Sequence, residues 1–331
     1  MRTLTVGDSG LGVYREGQPV DGPWDIARIP GFIDIHLHGG FGVDFMTSTE
    51  AEIVGWLDRL SELGYDACLP STVSAGADAV KAALKNLPEH PIVAGFHLEG
   101  PFISPKYPGA QPLSAIVDPP EGPSEWDEVF DDPRLKLAAL APERPGALAL
   151  TERLTKRGVT VSMAHTDATY AQVEAAAARG LDHATHTFNA MKGLHHREPG
   201  ALGYALASDT MGVELIYDRV HVSPAAAKVL VKCAPDRLIG ISDATQGAGL
   251  PEGTRFAMWG VECFVGADDI RLADGTLAGS KVTLLEVFQN LWSDFGPEVA
   301  IRACCLNPRR ILGDRPVGKW LEFNPAGERV G

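Results

Sequence analysis

The sequence predicts an α/β protein built around a (β/α)₈ barrel of the TIM type. Short apolar runs alternate along the chain with amphipathic stretches of helical period, which is the pattern of repeated βαβ units in a parallel sheet. The runs are apolar throughout, as expected of strands that are buried on both faces. Eight such runs can be counted, and eight strands fit a closed barrel better than an open sheet.

The predicted elements follow one another in a barrel domain of residues 30–313. Strands are expected at residues 31–38, 66–72, 92–99, 134–141, 159–165, 182–188, 211–217 and 237–243. Helices are expected at residues 50–64, 75–86, 146–157, 168–179, 223–233, 281–294 and 297–305.

The two ends of the chain fall outside this repeat. Residues 1–29 and 314–331 are rich in Gly and Pro and contain only short strand-like runs. We expect them to pack together as a small, reduced β-sandwich appendage beside the barrel.

Composition excludes several classes of function. The net charge of -14 argues against nucleic-acid binding, because that affinity depends on cations that neutralise phosphates. No apolar run reaches the roughly 18–20 residues that span a bilayer, and the first residues lack the pattern of a secretory signal. The five cysteines are scattered and odd in number, as expected of reduced thiols, so a cytoplasmic protein is expected.

Six ionisable residues lie at or just beyond the ends of predicted strands. They are His36, His38, Glu99, His165, His186 and Asp243. The carboxyl ends of barrel strands meet at one mouth, and alternate residues of a strand share a face, so His36 and His38 form a natural chelating pair. Four imidazoles and two carboxylates suit a divalent metal such as zinc, iron(II), cobalt or nickel.

A single histidine near a strand end is more often a hydrogen-bonded core residue than a metal ligand. Five further histidines show the scatter that structural histidines would have, namely His90, His183, His195, His196 and His221. The six residues instead all coincide with strand ends of one predicted barrel, and this coincidence favours a metal site.

Several motifs resemble those of the N-acetylglucosamine-6-phosphate deacetylases, a family in the amidohydrolase superfamily. They are PGFIDIHLHGG (30–40), HLEGPFIS (97–104), AHTDATY (164–170), THTFNAM (185–191), HHREPG (195–200), SDAT (242–245), LAGS (277–280) and LNPRRILG (306–313). The resemblance implies a barrel of the metal-dependent hydrolase type with a small β-sandwich, a homodimer, and removal of the acetyl group from an amino-sugar phosphate.

The resemblance also implies roles for the six residues. Glu99, His165 and His186 match the metal ligands of the family, and Asp243 matches its catalytic aspartate, which is also a ligand. His36 and His38 match a pair that some members keep, so one or two metals per subunit are implied, with Glu99 as the bridge. Zinc is the first expectation, with iron(II), cobalt, nickel or manganese as alternatives, and a weak, partly empty second position stays open.

Substrate contacts are implied in the same way. Asn189 and the N–H group of Ala190 match groups that hold the sugar phosphate, and His221 matches a substrate-contacting histidine. Arg197 matches an arginine that reaches the active site of the neighbouring subunit. The remaining implied contacts are Ala110, Gln111, Leu277 and Ala278. Gln111 stands where some members have histidine, a difference that bears on the preferred sugar more than on the reaction.

Other functions remain open at this point. The chain could deacetylate N-acetylgalactosamine 6-phosphate or an unphosphorylated amino sugar, or it could hydrolyse a cyclic amide. A silent barrel that senses a sugar phosphate or a metal is a further alternative. Retention of all six ionisable residues argues against it, because a silent copy would be free to lose at least one.

Overall fold

The computed structural model describes residues 1–7, 10–313 and 315–330. Strands β1 to β18 are, in order, Thr3–Gly7, Gly10–Arg15, Gln18–Pro19, Ile26–Pro30, Phe32–Leu37, Gly39–Gly40, Val43–Asp44, Tyr65–Pro70, Phe96–Glu99, Leu135–Leu140, Thr160–Met163, Leu181–Ala184, Gly212–Ile216, Leu238–Ile241, Arg255–Met258, Val261–Val265, Ile270–Leu272 and Trp320–Phe323. Helices α1 to α10 are Glu50–Leu63, Ala77–Asn86, Asp127–Phe130, Ala147–Thr155, Tyr170–Ala177, Gly200–Ala207, Pro224–Cys233, Leu284–Phe295, Pro297–Ile301 and Arg309–Leu312.

Eight parallel strands close into a barrel, as predicted. Strands β9 to β14 form one sheet in sequential order, and β5 pairs with β8. The amide of Thr72 donates to the carbonyl of His97 at 2.9 Å and joins the segment after β8 to β9. The amide of Asp243 donates to the carbonyl of His36 at 2.9 Å and joins the end of β14 to β5. The strands therefore form a continuous ring, which confirms the predicted fold class.

The barrel interior is a packed apolar cluster. Side chains from β5, β8, β10, β13 and β14 meet in it, and Ile311 of α10 joins them. Arg309 of α10 pairs with Asp66 at the start of β8 (2.7 Å), and Arg310 donates to the carbonyl of Asp182 in β12 (3.1 Å). Helix α10 therefore lies at the amino ends of the strands, which leaves the opposite mouth open for a site.

Both ends of the chain contribute to one appendage sheet. Its strand order is β18-β4-β1-β2-β3, and β1 lies parallel to β4. Phe323 of β18 packs against Phe288 of α8 and Phe32 of β5, with ring centroids 5.0 and 6.2 Å apart. The appendage is therefore a single sheet, and helix α8 and the barrel wall take the place that a second sheet would have in a β-sandwich.

The sequence did not predict the sheet of β15 to β17 or helix α6. Strands β15 to β17 form a three-stranded antiparallel sheet after the last barrel strand, with many half-buried and exposed positions that weaken its apolar signal. Helix α6 contains Gly200 and Gly203, which disfavour a helix prediction. Among the described residues, no helix combines the length and the apolar character required to cross a bilayer.

Candidate metal centre and active site

The six ionisable residues converge at the carboxyl ends of the barrel strands. They form two groups with close ligand atoms, one of His36, His38 and Asp243 and the other of Glu99, His165 and His186. All six side chains are buried. The structure therefore brings together the complete set that the sequence predicts.

Three of these residues follow their strands in a left-handed backbone conformation. The φ angles are 44° at His165, 31° at His186 and 48° at Asp243. Strands β11, β12 and β14 therefore end earlier than the predicted strands, because the chain turns sharply before each ligand residue. Positive φ is uncommon outside glycine and concentrates at functional sites, where it redirects a side chain.

Hydrogen bonds to the Nδ1 atoms orient three of the imidazoles. Nδ1 of His38 lies 3.2 Å from the carbonyl oxygen of Ser71, and Nδ1 of His165 lies 2.8 Å from that of Tyr107. Nδ1 of His36 lies 3.1 Å from Oε2 of Glu214. Because these oxygens can only accept, Nδ1 carries the proton and Nε2 faces the centre, as in many histidine ligands of metals.

The ring nitrogens are spaced as metal ligands would be. The Nε2 atoms of His36 and His38 are 3.2 Å apart, and those of His165 and His186 are 3.0 Å apart. Oε1 of Glu99 lies 3.2 Å from both members of the second pair, and its Oε2 lies 3.3 Å from His38. Ligands of a tetrahedral zinc ion at about 2.0 Å would be about 3.3 Å from one another. The donor set therefore fits a divalent metal in each group.

The charges of the site also fit a cation. Burial alone would raise the pKa of Glu99, but the charge of His36 and the close contacts with Nε2 of His165 and His186 hold it well below its usual range. The pKa of Asp243 is lowered in the same way by His36 and His38 against the effect of burial. Burial opposes protonation of His38, yet its bonds to Asp243 and Glu99 raise its pKa to about 9. Two buried carboxylates thus remain ionised and draw positive charge into the centre.

Glu214 is a buried carboxylate that sequence reasoning missed. Its oxygens accept from Nδ1 of His36 (3.1 Å), Nε2 of His183 (3.0 Å) and the amide of His186 (3.0 Å). Burial would raise its pKa, but the bonds from His183 and His36 hold the pKa far below its usual range. The available signal was the single charge inside the apolar strand β13, and His183, treated above as scattered, is its partner.

A cavity of about 420 Å³ opens above the centre. Six of the predicted substrate contacts line it, namely Ala110, Gln111, Asn189, Ala190, His221 and Leu277. Two others do not line it. Ala278 is buried in an apolar cluster with Met258 and Ile270. Arg197 is exposed, and its guanidinium donates to Nε2 of His196 at 2.9 Å.

Two of the lining side chains are held by specific partners. Gln111 accepts from the amide of Ser74 (2.7 Å) and donates through Nε2 to Oε2 of Glu99 (2.6 Å). The side-chain amide of Gln111 therefore fixes the carboxylate of Glu99, which contacts residues of both ligand groups. Nδ1 of His221 lies 2.6 Å from Oδ2 of Asp218. Burial would lower the pKa of His221, but this contact outweighs burial and raises it.

The structure adds lining residues that the sequence did not indicate. Lys106 and Arg271 bring positive charge to the cavity, and Tyr107 and Trp259 bring aromatic rings. Lys106 pairs with Asp167 at 2.6 Å, and Arg271 with Asp269 at 2.7 Å. All four lie in loops or in the unpredicted sheet, where periodicity carries no information.

Comparison with known proteins identifies the family to which this chain belongs. Residues 28–320 match the model of the amidohydrolase family. The chain therefore belongs to this family, whose members are metal-dependent hydrolases of amide bonds, and the resemblance stated from the motifs is confirmed.

Two relatives and one solved structure are similar to this chain over most of its length. The chain is 36% identical to an N-acetylgalactosamine-6-phosphate deacetylase of Escherichia coli O157:H7, over 86% of this chain and 78% of that protein. It is 37% identical to an N-acetylglucosamine-6-phosphate deacetylase of Bacillus subtilis, over 81% of this chain and 70% of the relative. A solved mutant N-acetyl-D-glucosamine-6-phosphate deacetylase from Mycobacterium smegmatis, in complex with N-acetyl-D-glucosamine 6-phosphate, superposes with a TM-score of 0.87 at 30% identity, covering 97% of this chain and 89% of that one.

Proposed function

We propose that the protein is a metal-dependent deacetylase that hydrolyses N-acetyl-D-glucosamine 6-phosphate to glucosamine 6-phosphate and acetate. Such a reaction belongs to amino-sugar catabolism or to the recycling of cell-wall sugars. The observation that carries the proposal is the buried centre of four imidazoles and two carboxylates at the floor of a cavity. The similarity to deacetylases of acetylated amino-sugar phosphates supports the choice of substrate.

The residues of the two ligand groups would hold one or two metals per subunit. Glu99, His165 and His186 would bind the first, and His36, His38 and Asp243 the second, with the two oxygens of Glu99 between them. Zinc is the proposed metal, and iron(II), cobalt, nickel and manganese suit related ligand sets. When bound, a divalent metal supplies Lewis acidity that polarises an acetyl carbonyl and acidifies water.

Asp243 is the proposed catalytic base and acid. Its pKa is lowered, so the carboxylate is ionised and able to accept the proton of the attacking water. The same group then returns the proton to the departing amine, which leaves as the free amino sugar. Its position at the floor of the cavity, 3.4 Å from Nε2 of His38, keeps it beside the ligand atoms throughout.

The remaining residues would bind and orient the substrate. We propose that Asn189, the N–H of Ala190 and His221 hold the sugar phosphate, and that Lys106 and Arg271 offset the net charge of -14 locally. The other proposed contacts are Ala110, Gln111 and Leu277, which line the cavity.

Assembly and compartment belong to the proposal as well. Arg197 is exposed, as an arginine that serves the active site of a neighbouring subunit in a homodimer would be. All five cysteines are free, which supports a reducing, cytoplasmic location.

The second candidate substrate is N-acetylgalactosamine 6-phosphate. The similarity to the Escherichia coli O157:H7 relative favours it about as strongly as the similarity to the Bacillus subtilis relative favours the glucosamine derivative. The two sugars differ only at one hydroxyl group, so the reaction would be the same.

The test is release of free amine by protein reconstituted with zinc, iron(II) or cobalt. N-Acetylglucosamine 6-phosphate, N-acetylgalactosamine 6-phosphate and unphosphorylated N-acetylglucosamine are compared side by side. Fast turnover of N-acetylglucosamine 6-phosphate alone is expected. Preference for N-acetylgalactosamine 6-phosphate would support the second candidate substrate, and equal use of the unphosphorylated sugar would contradict the phosphate contacts. No turnover of any of the three sugars by metal-loaded protein would contradict the proposed reaction.

A further inference from the structure

Trp259 occupies an unusual backbone position at the tip of the hairpin between β15 and β16. Trp259 and Gly260 form the turn, with φ angles of 53° and 83°. Two successive left-handed residues are typical of a tight hairpin turn, which glycine, asparagine and aspartate favour. A bulky aromatic residue is uncommon at the first of these positions, and such backbone outliers cluster at functional sites.

The indole is fixed at one end by a buried carboxylate. Its Nε1–H donates to Oδ2 of Asp44 at 3.1 Å. Asp44 is itself held by the amide of Met46 at 2.8 Å and the hydroxyl of Thr47 at 3.2 Å. The hairpin is therefore tied to the loop that follows the first barrel strand, and the ring has a defined orientation.

The ring lies beside the candidate metal centre. Its centroid is 5.4 Å from that of His38, with the two planes at 75°, and the indole lines the cavity. The other side chains that approach His38 from the centre are the imidazole of His36 and the carboxylates of Glu99 and Asp243. The indole thus adds an apolar wall to a place whose remaining groups are charged or polar.

This wall adjoins the position that the reacting amide must occupy. In the proposed reaction the carbonyl lies at the centre, and its nitrogen carries the sugar toward the contacts at Asn189 and His221. The methyl group of the acetyl is the other substituent of the carbonyl carbon, and it needs an apolar surface next to the ligand residues.

We propose that Trp259 determines acyl-group specificity, with its indole packing against the acetyl methyl group and excluding longer acyl chains. This inference rests on the proposed function. The pocket wall discriminates by volume, and one methylene in such a pocket changes selectivity by about tenfold or more. Trp259 is therefore a specificity-determining residue rather than a member of the proton-transfer machinery.

The experiment compares N-acetyl, N-propionyl and N-butyryl glucosamine 6-phosphate as substrates of the metal-loaded protein. Trp259→Ala and Trp259→Gly open the wall, and Trp259→Phe keeps a smaller ring. Val261→Ala is the matched control, because Val261 lies in the same hairpin, is 40% exposed and does not line the cavity. Metal content and melting temperature are measured for each variant, so that loss of folding is recognised.

The expected result is a change in the acetyl-to-butyryl ratio of kcat/KM. The ratio falls at least tenfold in Trp259→Ala and Trp259→Gly, falls less in Trp259→Phe, and is unchanged in Val261→Ala. The dissociation constants of the same three compounds are also measured for the Asp243→Asn variant and for the double variant that adds Trp259→Phe. These values give the preference among acyl groups without turnover.

Unchanged ratios in folded, metal-loaded variants of an active enzyme would overturn the inference and leave the proposed function standing. A wild-type protein that hydrolyses none of the three compounds would overturn both.

Discussion

At the scale of single residues, Glu214 is a buried side chain that lies outside the candidate ligand set and hydrogen-bonds to two of its members, His36 and His186. The Glu214→Ala substitution removes the acceptor that holds Nδ1 of His36 and leaves His183 without its partner. Loss of such a supporting carboxylate typically weakens metal affinity 10–100-fold. We expect this loss for the group of His36, His38 and Asp243, measured by competition with a chelator and by metal counting, and a smaller loss for Glu214→Gln. Unaltered affinity in the alanine variant would contradict this role of Glu214.

Asp243 tests the proton transfer itself. The Asp243→Asn variant keeps an oxygen near His38 but cannot take up a proton, so turnover should fall by about 10²–10⁴-fold while the protein stays folded. Steady-state rates and metal content check this expectation. Near-native activity would show that another group transfers the proton.

The Asp218–His221 pair predicts a dependence on pH. Because Asp218 raises the pKa of His221, the Asp218→Asn substitution should lower it, as a histidine NMR titration would detect. If protonated His221 holds the substrate, the alkaline limb of the kcat/KM profile of the variant moves to lower pH.

The same pair predicts a dependence of stability on pH. When the pKa of a histidine is higher in the folded protein than its unfolded value of about 6.5, protonation stabilises the fold below pH 6.5, and this stabilisation is lost as the pH rises through the native pKa. The variant should therefore lose more stability at pH 6 than at pH 9, and an equal loss at both would contradict the pairing.

At the scale of elements, the ion pair between Asp66 of β8 and Arg309 of α10 holds the end of the barrel opposite the site. Asp66 also accepts from the amide of Gly318 at 2.9 Å, so it links α10 and the C-terminal segment to the barrel. The Asp66→Ala substitution leaves the charge of Arg309 without its carboxylate partner in a largely buried place and should cost about 3–5 kcal/mol in the free energy of unfolding. Asp236→Ala removes half of an exposed pair with Arg302 and should cost less than about 1 kcal/mol. Denaturant titration of both variants measures the difference, and similar costs would refute the assignment.

At the scale of the whole molecule, we expect the candidate centre to couple metal binding to stability. The six candidate ligand residues come from strands or strand ends distributed around the barrel, so a bound metal would connect elements that are far apart in sequence. A ligand that binds only the folded state stabilises it by mass action. Removal of metal by a chelator should therefore lower the melting temperature and abolish activity, and re-addition should restore both. Calorimetry of apo and reloaded protein checks this, and identical melting temperatures at full metal removal would contradict it.

Local patterns in the sequence were sufficient to predict the barrel and the meeting of the six candidate ligand residues at its mouth. Apolar runs mark buried strands, and the carboxyl ends of parallel strands meet at one mouth, so His36, Glu99 and Asp243 could be expected together without a structure. The same patterns were silent on strands β15 to β17, because partly exposed positions there have no strong periodicity.

The contacts that refine the site depended on tertiary structure alone. Glu214 reaches His36 across 178 residues of sequence, and the Trp259 indole reaches Asp44 across 215. Such pairs arise only when the barrel closes and the hairpin settles over its mouth, since no local periodicity encodes a contact between distant segments. The sequence by itself therefore determined the class of fold and the candidate ligand set, whereas the folded chain decided how each of these side chains is oriented and which surfaces line the cavity.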